Sequence, residues 1–410
     1  METVLDHDRE VLRPLAERLR CLADRPEMKA RTGRLTRHNK LDSDGPLVFV
    51  FPEGAWAETL PPESLLCRDP FLRSLEEQVR QRLFLAEEIQ DDSVESGVLD
   101  IPKAVDSGSY GVDVEFRHGD NRGSYSWHPP FQTVSQAAES LKQRVPSHDE
   151  EETQRRLDLA YHAVGGLIPL RLACSPYWTL GMTWKVIDFV GMEALMIAML
   201  DEPEEVHRLM SWMRDEHMSW LDQLVELKVL TSNSGNDYCG SGGYGFIDEL
   251  QPPNEGPVPL SERWGFAESQ ETVGISPDMF GEFVLPYQTP LLERFGLIHY
   301  GCCEPLDARW QSVQKIPRLR RVSVSPWANE EVMAEQLGRN YVYSRKPNPA
   351  PLCVGYDEKA LTQSLDETLT KAKGCIVEIV MKDTHTVQGA PGRFSKWVEL
   401  ARRRIDAVWR

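Results

Sequence analysis

The chain has 410 residues and a formal net charge of −18, with 64 Asp and Glu against 46 Lys and Arg. Apolar residues make up 41% and charged residues 27%, enough core for one large α/β barrel with extensions or for two ordinary domains. Acidic residues are spread along the whole chain, and such a surface repels phosphate backbones and anionic lipids, which argues against nucleic-acid and membrane-surface partners.

Residues 1–45 read as a charged helix and a basic connector, forming an N-terminal extension. No stretch reaches the roughly eighteen uninterrupted apolar residues of a membrane span, and the first twenty residues lack a signal-peptide core. The eight cysteines are scattered at 21, 67, 174, 239, 302, 303, 353 and 375. They read as reduced thiols of a cytoplasmic protein rather than as a disulfide framework.

The first strand is expected over 46–51, then a polar helix around 70–86 and a short apolar run at 97–101. Residues 105–130 read as a long loop or small hairpin, and 146–156 as an acidic helix start. Strands are expected at 166–174 and 230–234, flanking a long helix opened by Asp201-Glu202-Pro203-Glu204, where Pro and acids suit a first turn. The Gly-rich stretch 235–256 is too long for a simple connection and reads as a functional loop. Further strands follow at 264–268, 296–300, 319–325, 340–344 and 375–381, and Ser276-Pro277-Asp278 caps a helix between the first two of these. Short apolar strands alternating with amphipathic helices imply parallel βαβ units. About eight of them, without a dinucleotide-binding glycine fingerprint, point to a (β/α)8 (TIM) barrel over 46–410.

Catalytic groups of such barrels project from the C-terminal strand ends. Those ends carry Glu53 and Trp56; Glu268, Gln270 and Glu271; His299-Tyr300-Gly301-Cys302-Cys303-Glu304; Trp327; Arg345 and Lys346; and Lys382, Asp383 and His385. Imidazole and thiolate are preferred zinc ligands, and a carboxylate completes a set, so His299, Cys302, Cys303 and Glu304 are the expected metal shell. The bland alternatives are buried small cysteines and a satisfied core histidine. Glu268, Asp383 and His385 are candidate acids and bases. Glu53, Trp56, Gln270, Trp327 and Arg345 are candidates for holding a small substrate. Cys375 starts the last strand, far from its catalytic end, and reads as core.

These strand ends, together with Asp201-Glu202-Pro203-Glu204, the run Gly274-Ile275-Ser276-Pro277-Asp278-Met279-Phe280, Leu337-Gly338 and Arg345-Lys346-Pro347-Asn348-Pro349, resemble the uroporphyrinogen decarboxylase superfamily. The resemblance covers about 171–397, whereas 1–165 match only loosely. It implies either a decarboxylase of porphyrinogen carboxylates or a zinc-dependent methyltransferase working with corrinoid proteins or thiols. The arginine-rich motif of the decarboxylases is missing, since Arg31, Arg34 and Arg37 are spaced differently and precede the first strand. The methyltransferase branch binds zinc through His-x-Cys and a later Cys. His299 matches the first ligand, but this chain has His-x-x-Cys-Cys, with Asp383 or His385 where the later Cys stands. A harder shell including Glu304 and Asp383 also suits iron, manganese or cobalt.

The leading expectation is therefore a metal-dependent methyltransferase moving a methyl group between a small methylated substrate and a thiol or a corrinoid carried by a partner protein. As a monomer or homodimer it needs neither nucleic acid nor membrane. The alternatives are a metal-assisted decarboxylase or lyase, which needs a cation such as Arg345 or Lys346 at the mouth, and a non-catalytic metal- or corrinoid-binding protein.

Overall fold

The computed structural model describes residues 2–118, 125–253 and 256–409. The chain starts with helices α1 (Glu2–Ala23) and α2 (Pro26–Asn39). Parallel-paired strands follow, namely β1 (Leu47–Val50), β2 (Leu99–Pro102), β3 (Leu170–Ala173), β4 (Trp264–Ala267), β5 (Leu297–Tyr300), β6 (Leu319–Val324), β7 (Val342–Arg345) and β8 (Ile376–Met381). Between them lie α3 (Pro70–Phe84), α4 (Glu150–Val164), α5 (Thr183–Val190) and α6 (Pro203–Glu226), with shorter helices further on. The fold is mixed α/β. Six strands form one parallel sheet in the order β1-β8-β7-β6-β5-β4, and β2 and β3 form a separate parallel pair. Among the described residues no helix is long and apolar enough to cross a membrane.

Alternation within the strands decides what each sheet face meets. In β8, Val377, Ile379 and Met381 enter the main core with Ile298, Tyr300, Val322, Val324 and Tyr343 from neighbouring strands. The other face buries the polar residues Glu378, Ser344, Ser323, Arg321 and His299 beside a small apolar cluster of Leu47, Phe49 and Val380. A second core, with Leu12, Leu19, Leu72, Val79, Leu99, Ile101 and Ala163, packs α1, α3 and α4 against β2 and β3. Asp69 caps α3 by accepting from the amides of Phe71 and Leu72, with Pro70 at the first helical position.

Several expected elements differ in detail. The basic connector is α2, whose last residues His38 and Asn39 are buried. The long loop at 105–130 contains an antiparallel hairpin of Phe116–His118 with Tyr125–Trp127, and 119–124 lie outside the described residues. No strand forms at 230–234. Instead the Asn233 amide bonds both backbone groups of Trp264, and the Thr231 hydroxyl accepts from the Cys174 amide. At the free edge of β1, Asp92 and Asp91 carboxylates accept from the Val48 and Val50 amides (2.8 and 2.9 Å). Side chains thus satisfy the backbone where strand pairing stops. Where one closed ring of eight strands was expected, the strands form a sheet of six and a separate pair, with no strand pairing joining β1 to β2 or β3 to β4 among the described residues.

The Gly-rich segment after residue 234 runs past the polar sheet face. Ser241 Oγ donates to Cys302 Sγ (3.1 Å) beyond the end of β5. Farther on, Tyr244 packs edge-to-face on Phe49 (5.3 Å), and Asp248 pairs with Lys40 (3.0 Å) beyond the end of α2. Gly240 is fixed twice over: its φ is +70°, and a Cβ there would lie 2.1 Å from His299 Nδ1. Gly240→Ala is therefore expected to cost about 3 kcal/mol from left-handed strain plus overpacking. A urea unfolding midpoint equal to wild type would show that the segment is not seated on His299.

Candidate active site

Beyond the ends of β8, β1 and β5 lies a compact ionic cluster. Lys382 follows β8, and its Nζ donates to Asp383 Oδ1 (2.8 Å) and stands 3.9 Å from Glu53 Oε1. Glu53 Oε2 accepts from the Asp383 backbone amide (2.7 Å). Glu53 (φ 48°) and Asp383 (φ 58°) both occupy the left-handed region, which non-glycine residues hold only when their surroundings enforce it. Burial raises the Glu53 carboxyl, opposed by Lys382. Burial also opposes the Lys382 charge, but Cys302, Asp383 and Glu53 outweigh it and hold the ammonium above the usual lysine range.

The two thiols meet this cluster. Gly301 (φ 91°) breaks the strand, so Cys302 and Cys303 do not alternate as strand residues do. Their sulfurs lie 3.6 Å apart, and Cys303 Sγ is 3.9 Å from Asp383 Oδ2. The hydrogen bond between them raises the buried Cys302 thiol and lowers Cys303, the latter against burial. The pair therefore favours half-buried Cys303 as the sulfur that ionises, with Asp383 opposing and Lys382 assisting.

The other two expected metal donors face elsewhere. Glu304, fully buried, accepts from the amides of Ser269 (2.8 Å) and Cys302 (2.9 Å). His299 Nδ1 lies 3.2 Å from the Cys239 carbonyl and therefore carries the proton, leaving Nε2 to accept from Ser323 Oγ (3.0 Å). Burial pushes its imidazole well below the ordinary range, so the ring is neutral. Among the described residues no three His, Cys, Asp or Glu side chains are arranged as metal ligands. The expected four-donor shell is thus divided, and donor chemistry suited to a soft ion remains only at the two sulfurs.

The remaining expected residues separate clearly. His385, exposed, packs against Gly54 beside Glu53. Glu268 is fully buried and accepts from Thr179 Oγ1 (3.2 Å) and the Gln270 amide (3.1 Å). Burial, with Glu271 and Glu304 nearby, raises its carboxyl well above the usual range. Gln270 is half-buried in a short turn behind it. Trp56 stacks edge-on against Phe84 of α3, and Trp327 is 71% exposed on the turn after β6. Arg345, expected to hold substrate, has its donors taken up within the fold. It pairs with Glu330 (3.0 Å) and donates to the Val324 and Ser325 carbonyls, because its place in β7 turns it toward the helices.

Sequence reasoning assigned no role to Lys382 and named Lys346 only as an alternative cation. Lys346 is buried on the polar face, donating to Ser344, and burial pushes its ammonium down to about 7. Ser241 was missed individually, although the Gly-rich stretch holding it was marked as functional. A cavity of about 880 Å³ lies between α2, α3 and the segment 234–253. Its arginines are paired, Arg82 with Glu95 and Arg171 with Asp100, and neither cysteine lines it.

No protein-family model matches the chain, and no curated protein does. Among solved structures it is similar to a methyltransferase from Methanosarcina mazei. The identity is 13% and the TM-score 0.50, over 93% of this chain and 99% of that one. The likeness is one of fold.

If Cys303 is the ionising sulfur, its alkylation by iodoacetamide in chelator-treated protein should reach half its plateau rate below the ordinary thiol midpoint of about 8.5. A lowered thiol keeps its thiolate to lower pH, so removing the neighbouring cation must move the midpoint upward. Lys382→Met is expected to do so, as read by peptide mass spectrometry of residue 303. A midpoint indifferent to Lys382, or faster labelling of Cys302, would contradict the assignment.

Proposed function

We propose that the chain is a methyltransferase built on a (β/α)8-type frame and acting at the Cys302–Cys303 pair. The frame is read as a barrel parted between β1 and β2 and between β3 and β4. The observation that carries the proposal is the thiol pair held against Lys382 and Asp383 beyond the strand ends, with one sulfur biased toward the thiolate. The similarity of fold to a methyltransferase supports the same class.

Methyl transfer needs a soft nucleophile and a proton for the leaving group. The acceptor, a thiolate or the cobalt(I) of a corrinoid, gives an electron pair to the methyl carbon as the bond from that carbon to its heteroatom breaks, and the heteroatom departs with the bonding electrons and takes up a proton. Lys382 stabilises negative charge at the sulfurs. Glu53, its carboxyl raised by burial, and His385 beside it are placed to supply the proton. Asp383 holds Lys382 in position, and buried Glu268 and Glu304 fix the turns after β4 and β5 through backbone amides. Zinc or another soft ion on the two sulfurs is the proposed cofactor and would hold both as thiolates when bound. His299 and Glu304 are not part of that shell. The second reactant is a thiol or a corrinoid on a partner protein. Of the two cations expected to serve a lyase, Arg345 is tied to Glu330 and Lys346 is buried against Ser344.

The test is methylation of cob(I)alamin, followed by absorbance, with methanol, methylamines, methyl thioethers and methoxylated aromatics as donors. At least one donor should be turned over by wild type, Cys303→Ala should abolish turnover, and Glu53→Gln should slow it on the order of 100-fold. Elemental analysis should find metal in wild type and none in the Cys302→Ser/Cys303→Ser double variant. Turnover that survives Cys303→Ala would overturn the assignment of the site, and a wild type inert to every donor would overturn the class.

A further inference from the structure

Arg263 closes the turn before β4 and is only 1% exposed, yet it pairs with no carboxylate among the described residues. Its Nη2 donates to Ser175 Oγ (2.8 Å), while Nε and Nη1 have no hydrogen-bond partner. Most other buried arginines of the chain are answered: Arg321 by Glu378 and Arg345 by Glu330. An isolated buried guanidinium is costly, and a protein that keeps one without an internal anion gains by taking an anion from outside.

The space for such an anion is present. Arg263 lines a cavity of about 370 Å³ at the seam where β3 and β4 do not pair. The buried Tyr177 hydroxyl lines the same cavity close to Arg263, whose charge opposes the rise that burial imposes on the phenol. Trp178, Trp264 and Phe266 give it aromatic walls. The one carboxylate there, Asp237, is already held by Arg171 (2.7 Å). The charge left to be met is positive, and the walls suit a flat apolar body.

We propose that this seam cavity binds a small organic carboxylate, its carboxylate on Arg263 and its ring or chain against the aromatic walls. Arg263 can turn to the anion the donors it does not spend on Ser175, beside the Tyr177 hydroxyl, and the fork geometry of a guanidinium favours a planar carboxylate. Trp178 and the stretch Tyr238–Gly240 separate the cavity from the thiol pair, since Trp178 Nε1 donates to Gly240 O (3.1 Å) and Ser241 reaches Cys302. The site stands whether or not the chain transfers methyl groups.

The experiment is calorimetric titration of the full chain with benzoate, with benzyl alcohol as its uncharged counterpart, and with acetate and inorganic phosphate. Benzoate should bind saturably and at least tenfold more tightly than acetate, whereas benzyl alcohol and phosphate should give no saturable heat. Arg263→Met should abolish benzoate binding. It should also melt no lower than wild type without ligand, because it removes an uncompensated charge and keeps the volume. Benzyl alcohol binding as well as benzoate, phosphate binding in place of benzoate, or undiminished binding by Arg263→Met would each overturn the proposal. So would an Arg263→Met chain that melts well below wild type, since that would make the arginine a structural tie to Ser175.

Discussion

The ion pair of Arg321 and Glu378 is the contact on which the rest of the interior depends. Both side chains are almost wholly buried on the sheet's inner face, with Arg321 Nε 3.1 Å from Glu378 Oε1. Burial works against the Glu378 charge, yet Arg321, His38 and Lys346 together hold the carboxyl well below its usual range. The guanidinium also donates to Asn39 at the end of α2 and to the Tyr244 carbonyl in the Gly-rich segment. One residue of β6 therefore fixes the N-terminal helices, the long segment and β8 relative to one another. Such a pair adds little net stability compared with apolar packing, but losing one partner costs about 3–5 kcal/mol, because a charge is left unanswered. Its value lies in fixing the path of the chain.

A polar interior has consequences at the end of the sheet where the thiols lie. An apolar barrel core would leave no place for neutral His299, bridging Cys239 and Ser323, or for Lys346 beneath the thiols. Because these groups are satisfied within the fold, the ionic cluster above them can hold two left-handed backbones at Glu53 and Asp383. The strained residues support each other directly, as the Glu53 carboxylate accepts the Asp383 amide. That arrangement leaves Cys303 and the exposed His385 accessible while Lys382 stays pinned.

The parallel strands from β4 onward were readable because β-branched runs such as Ile376–Met381 bury on both faces, and their observed limits fall within about two residues of those expected. Residues 230–234 were misread because apolar content cannot show that Asn233 and Thr231 side chains would replace the backbone ladder. The thiol pair was legible as chemistry, but its partners were not. His299 and Glu304 lie close in sequence to the cysteines, yet their orientation depends on Ser323, Cys239 and the Ser269 amide, all distant in the chain. Arg345 and Lys346 show the same limit. Adjacent strand residues face opposite ways, and only the sheet's packing decides that Arg345 meets Glu330 while Lys346 turns inward. Nothing in the turn before β4 marks Arg263, since an arginine there reads as an ordinary surface residue.

The two interruptions in strand pairing explain where open space remains. A ring in which every strand pairs with its neighbours packs its interior with side chains and leaves no lateral opening. Here β1 is edged by Asp91 and Asp92, and β4 by Asn233, so backbone groups are satisfied without a neighbouring strand closing the gap. Burial raises the Asp91 carboxyl to about 6, the cost of using a carboxylate as an edge cap. Cavities form beside both seams, the larger between α2, α3 and the long segment and the smaller around Arg263. Tyr238 lines both, and the segment that carries it also places Ser241 on Cys302. The open seams and the thiol pair are therefore joined by one short stretch of backbone, from Tyr238 to Ser241.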